Sequence, residues 1–290
     1  MPDFAPFLVI GLALGGVYAM SGVALVVLFR TTGVLNLSYG AVGALGSLIA
    51  WTLIDHGWNQ WLAFALAVLL GGVLTLLYGW FLGPPLADRD PLVKASASLG
   101  FALSLLGIMQ WRWTADVRSL KLPTSEWQYT NGWLRITWTQ AIAMGFPILV
   151  VIVTVIFLNR SKLGTAMRAL ADNRENTALL GVPVRRVEAA AWFGSGMLFG
   201  FAGLLLANLV SMEIAALTFS LPIAALAAAL IGRVESLTAT LISAFVIGLV
   251  QSELNAFKSL AEYRNTTPFV CAIIVLLWFG WRRQVGGRVA

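Results

Sequence analysis

Apolar stretches long enough to cross a bilayer recur along the whole chain, and they leave few folds open. A spanning helix takes roughly 20 consecutive, mostly apolar residues. Residues 7–29 supply one without a single charge. Comparable stretches lie at 33–54, 58–83, 92–112, 139–158, 187–210, 217–232, 236–256 and 266–281. Backbone in hydrocarbon must satisfy its own hydrogen bonds, so such stretches become helices. The expected fold is all-α: a polytopic integral membrane helical bundle of about nine transmembrane spans, within a range of roughly eight to ten. The seventh stretch is short and is expected to be bent or re-entrant. Composition points the same way. Only 11% of the 290 residues are charged, with a mean hydropathy of +0.84. Soluble domains carry about 25%. The first stretch has no basic leader and outruns a signal-peptide core, so it is expected to stay as a span.

The cations set an orientation. With the segment 159–186 in the cytoplasm, thirteen fall inside: Arg30, Arg89, Lys94, Arg160, Lys162, Arg168, Arg174, Arg185, Arg186, Arg233, Arg282, Arg283 and Arg288. Six fall outside: Arg112, Arg118, Lys121, Arg135, Lys258 and Arg264. Cytoplasmic loops carry the excess in membrane proteins. This places the C-terminus inside and explains the net charge of +6 without nucleic acid. The whole chain, 1–290, reads as one transmembrane domain. It is interrupted by an external segment at 113–138, long enough for a short helix or hairpin, and by cytoplasmic helices at 159–186. Trp51, Trp58, Trp61, Trp111, Trp113 and Trp138 fall at stretch ends, where indole rings favour the headgroup level.

The segment from Ser161 to Val187 is not loop-like. Leu163, Met167 and Leu170 follow an i, i+4, i+7 pattern and share one helical face. Asp172 followed by Glu175 reads as a capping box that opens a second short helix. Gly181 and Pro183 then stop it. An apolar stripe flanked by Arg168, Arg174, Arg185 and Arg186 suits docking in the groove of a soluble partner. Lying on anionic lipid is the alternative.

A family resemblance rests on these residues. Leu163, Gly164, Arg168, Ala169, Asp172, Glu175, Ala178, Leu180, Gly181, Val182 and Arg186 match the coupling region of ABC importer permeases of the branched-chain-amino-acid type. The block Thr32-Gly33-Val34-Leu35-Asn36-Leu37-Ser38-Tyr39-Gly40 resembles another of its segments. That family usually ends the block Asn-Phe-Ala-His-Gly, so Leu37, Ser38 and Tyr39 depart from it. The frame favours the shorter of the two permease types. The resemblance implies a multi-pass protein of the bacterial inner membrane. It implies a second permease subunit in a heterodimer or homodimer, two ATPase subunits, and an extracytoplasmic substrate-binding protein. ATP would be bound by the partners, with no cofactor on this chain. The implied cargo is branched-chain or other small amino acids, or related small carboxylate or polar solutes. Leu163, Gly164, Met167, Arg168, Leu170, Asp172, Glu175, Leu180 and Gly181 are expected to couple to the ATPase.

Polar groups at bilayer depth are costly and become candidates for a translocation path. Asn36, Ser38 and Tyr39 interrupt the second stretch, and Asn208, Ser211 and Glu213 end the sixth. Ordinary interhelical hydrogen bonding explains the first group equally, and a solvated loop the second. The pairs Gly11/Gly15 and Gly196/Gly200 have the spacing of close helix packing. Catalytic chemistry finds little footing. With one histidine, His56, and one cysteine, Cys271, no thiol- or His-rich metal site can be built. Gly194-Ser195-Gly196 lies inside an apolar stretch, not at a strand-to-helix turn. There is no Gly-rich Lys-Ser/Thr phosphate loop. An ion-coupled secondary transporter remains the rival to the ATP-driven reading, and would be expected to show repeats and buried ionisable groups.

Overall fold

The computed structural model describes residues 4–87, 89–114, 116, 118–131, 134–210, 212–255, 257 and 266–286. The long helices are α1 (Phe4–Thr32), α2 (Tyr39–Asp55), α3 (Gln60–Leu86), α4 (Pro91–Trp113), α5 (Trp138–Arg160), α8 (Val184–Leu209), α9 (Ile214–Ile231), α10 (Leu237–Leu254) and α11 (Thr267–Gly286). Two short helices, α6 (Lys162–Asp172) and α7 (Arg174–Leu179), link α5 to α8. Among the described residues, seven helices are long and apolar enough to cross a membrane. Tyr39–Asp55 and Thr267–Trp278 are shorter apolar helices. The short seventh stretch becomes α9, an 18-residue helix with Pro222 inside it.

The fold is not wholly helical. The segment between α4 and α5 carries a hairpin, β1 (Gln128–Asn131) against β2 (Leu134–Thr137), antiparallel with Tyr129 opposite Ile136. Local caps explain many helix starts. Asn59 accepts from the amides of Trp61 and Leu62, and Asp90 from Leu92, with Pro91 in the first turn. Thr137 and Gln140 form a reciprocal capping box on α5.

One boundary departs from the sequence reading. The second stretch was expected to be helical from residue 33, but α2 starts at Tyr39. Residues 33–38 run as irregular backbone, with Val34, Asn36 and Ser38 buried. Gly33 turns the chain with φ +67. Asn36 Oδ1 then accepts from both the backbone N–H and the hydroxyl of Ser38. Ser98 Oγ of α4 accepts from the Leu37 N–H at 2.9 Å and lies 3.1 Å from the Leu35 carbonyl. Side chains thus do what a helix ladder would have done, the condition for irregular backbone inside a bilayer protein.

Small residues set the core. A Cβ on Gly15 would fall 2.7 Å from the Phe245 Cα, so α1 and α10 meet backbone to backbone. Gly43 of α2 meets Gly203 of α8, and Gly71 of α3 meets Gly196 and Gly200 of α8. The spacings read from sequence at 11/15 and 196/200 therefore mark real close approaches. Thr75 Oγ1 crosses from α3 to the Trp192 carbonyl of α8 at 2.8 Å.

Candidate coupling and translocation sites

Helices α6 and α7 sit at one end of the bundle and the hairpin at the other. Ser161 caps α6, accepting from the Gly164 amide at 2.8 Å. The α7 start differs from expectation. Asp172 closes α6, and it is Asn173 that accepts from the Asn176 amide at 2.9 Å, so no Asp172–Glu175 box forms. Gly181 takes φ +80 and carries the turn that ends α7. Pro183 precedes α8. Arg174 pairs with Glu188 at 3.0 Å, tying α7 to the first turn of α8.

The apolar face of α6 is turned the opposite way from the sequence expectation. Met167 is 4% exposed and Leu170 5%, and both belong to the bundle core. A Cβ on Gly164 would meet the Phe157 carbonyl and Leu158, so α6 lies tight on α5. Leu163 is half-buried against the same core. Leu163, Gly164, Met167 and Leu170 hold α6 to the chain itself, because burying that stripe on α1, α5 and α8 gives it the dry surface an amphipathic helix needs. What faces outward is Arg168, Glu175 and a pair of leucines at the α7 tip. Leu179 is 85% exposed and Leu180 83%. Asp172, the last residue of α6, is exposed as well. Leu179 escaped the sequence reading. A Leu-Leu pair before a Gly stop reads equally as a buried helix end, and periodicity cannot choose over a six-residue helix.

The proposed path residues split into two groups. Asn36, Ser38 and Tyr39 are all 0% exposed. Tyr39 donates its hydroxyl to the Pro222 carbonyl at 2.7 Å and stacks on Phe199 with centroids 4.9 Å apart. Pro222 has no N–H to give the Thr218 carbonyl, and Gly40 comes close to that carbonyl. The start of α2 is thereby clamped to the middle of α9. Asn36 Nδ2 has no hydrogen-bond partner among the described residues. At the other end, Asn208 donates to the Leu120 carbonyl at 2.8 Å and so anchors the segment between α4 and α5. Glu213 is exposed at the start of α9. Ser211 lies outside the described residues. The two groups do not meet in one site. His56 is exposed, its Nδ1 2.7 Å from the Thr52 carbonyl.

The segment between α4 and α5 has a latch at Arg118, which the sequence reading counted only as a cation. Arg118 and Met212 exchange backbone hydrogen bonds at 3.3 and 2.9 Å. The Arg118 side chain donates to the Trp113 carbonyl, sits 3.6 Å from Asp116, and lies over the Trp51 ring at 5.2 Å.

A multi-helix bundle with seven long apolar helices among the described residues and a short helix pair folded across one end defines the class: a polytopic helical membrane protein. The chain belongs to the family described as branched-chain amino acid transport system / permease component, which it matches over residues 7–277. It is 25% identical over 285 residues to the high-affinity branched-chain amino acid transport system permease protein LivH of Escherichia coli, covering 92% of this chain and 91% of that one. It is 23% identical over 296 residues to the corresponding permease protein BraD of Pseudomonas aeruginosa, covering 96% and 95%. A probable branched-chain amino acid transport permease LivH of Methanocaldococcus jannaschii is 26% identical over 243 residues, covering 80% and 75%.

Proposed function

We propose that this chain is the membrane-spanning subunit of an ATP-driven importer of branched-chain or other small amino acids, and that it meets its ATPase through the α7 tip. Nine helices cross the membrane in this reading, with α6, α7 and the C-terminus in the cytoplasm. The thirteen-to-six division of cations supports that orientation. A second permease completes the path, two ATPases supply the energy, and an extracytoplasmic binding protein delivers cargo at the hairpin end.

The observation that carries the coupling claim is the exposure of Leu179 and Leu180, 85% and 83%, on a helix pair pinned to α1, α5 and α8 by its other face. Two adjacent leucines in water are apolar area held ready for a groove. Because α6 is packed on α5 and α8, a push on the tip is passed to those helices as a rigid displacement rather than lost in a loose loop. Asn36, Ser38 and Tyr39 are the inner candidates for the path, opened when α2 and α9 separate at the Tyr39–Pro222 contact.

Reconstitution tests the function. The chain is placed in proteoliposomes with its second permease, ATPases and binding protein, and labelled leucine uptake is followed. Uptake should need both ATP and the binding protein, and should follow the specificity of a swapped binding protein. Uptake driven by an ion gradient without ATP would sink the proposal.

A further inference from the structure

Helices α5 and α8 splay apart, although α6 touches both. Between them opens an apolar groove of about 440 Å³, backed by Ala24 and Val27 of α1 and closed toward α6 by Leu163 and Met167. It is nearly continuous, through Met197, with a second apolar lobe of about 480 Å³ between α3 and α8. Gly194 stands at its edge with open space where a side chain would be.

The rows that line this groove end in charge. On α5 the row Val153, Phe157 continues one turn on to Arg160. On α8 the row Gly194, Ala190 continues one turn back to Arg186. Both arginines are exposed, and neither pairs with a carboxylate of the described residues. An apolar slot whose lining rows run on, one helical turn further, to two arginines has the pattern of one kind of molecule. Guanidinium forks match phosphate oxygens, and basic clefts between membrane helices attract anionic headgroups. A second copy of this chain, with its net charge of +6, is a poorer fit to a mouth whose two arginines pair with no carboxylate among the described residues.

We propose that the α5–α8 groove is a binding site for an anionic phospholipid, with its phosphate between Arg160 and Arg186 and an acyl chain against Met167 and Leu163. The lipid then touches the buried face of α6, so the membrane composition bears directly on the helix that carries the tip. This site rests on the bilayer reading alone and not on ATP coupling.

The test uses the assembled transporter in nanodiscs of phosphatidylglycerol mixed with phosphatidylcholine, followed by native mass spectrometry of retained lipid. The wild type should keep phosphatidylglycerol over phosphatidylcholine. Arg160→Ala with Arg186→Ala should lower phosphatidylglycerol retention by roughly thirtyfold, as expected for two surface cations, and leave phosphatidylcholine unchanged. Gly194→Trp, filling open space, should displace the lipid without lowering the thermal midpoint. Ile148→Trp, on the exposed side of α5 away from the groove, should change nothing. Equal retention of phosphatidylglycerol by wild type, double variant and Gly194→Trp would overturn the proposal. So would a photocrosslinker at position 194 that captures the second permease instead of lipid. Neither readout needs transport, so failure of the importer reading would leave the lipid result interpretable.

Discussion

Helices α1 and α5 are close in length and both strongly apolar, yet they occupy opposite environments. In α1, 83% of the most apolar stretch is buried inside the protein; in α5, 22% is. Of the two, α5 is the more apolar, with a mean hydropathy of 2.8 against 2.2. In water that order would be inverted. In a bilayer, lipid is as good a home for Ile148, Ile152 and Ile156 as any protein interior, so hydropathy no longer separates core from surface. What separates them is side-chain size. Along α1, Gly11, Gly15, Gly16 and Gly22 let three other helices, α5, α9 and α10, approach its backbone. Gly145 on α5 has nothing near it.

The same contrast can be broken at a single atom. Gly248→Val would drive a side chain into the Gly15 backbone, and overpacking of this kind costs about 3 kcal/mol. The folded fraction recovered by size-exclusion chromatography should collapse. Gly145→Val should elute as wild type, and equal damage there would mean that α5 is covered after all.

The second comparison is within the α6–α7 pair, between its buried apolar face and its exposed leucine tip. Met167→Asp strands a charge in the core and should cost about 3 kcal/mol of stability, seen as a lowered thermal midpoint. Leu179→Asp should leave that midpoint unchanged and weaken ATPase association by about 2 kcal/mol, measured by titrating the ATPase onto immobilised permease. A stable Met167→Asp with normal association would place both faces of α6 in doubt.

Smaller effects distinguish the two ends. Asn208→Ala removes the tie to Leu120 and should cost about 1 kcal/mol. It should show as faster proteolysis within the external segment, with α6 and α7 unaffected. Tyr39→Phe deletes the bond to the Pro222 carbonyl, and such interhelical bonds average about 0.6 kcal/mol in membranes. A midpoint drop several times larger would mean that the α2–α9 clamp carries more than one hydrogen bond.

These particular residues show what the sequence could carry. The apolar stretches located the long helices because a bilayer imposes a length, and Gly11, Gly15, Gly196 and Gly200 announced close packing because nothing else needs small residues at that spacing. The irregular backbone at 33–38 was hidden. Its break depends on Ser98, a residue 61 positions after Leu37, and no local pattern joins the two. The orientation of α6 was hidden for a different reason. An amphipathic pattern states that one face seeks a dry surface, not whose surface it is. Met167 found it within the chain, and the tip at Leu179 and Leu180 was left exposed.

Disulfide trapping tests that last distinction most directly. In a Cys271→Ser background, single cysteines are placed at position 180 or position 167, opposite a cysteine scanned along the ATPase groove, and oxidised in the assembled transporter. The cysteine at 180 should form a bond with the ATPase, and that bond should arrest ATP-driven uptake until it is reduced. The cysteine at 167 should form none. Trapping at 167 with none at 180 would contradict the claim that the exposed tip, rather than the apolar face of α6, joins this permease to its source of energy.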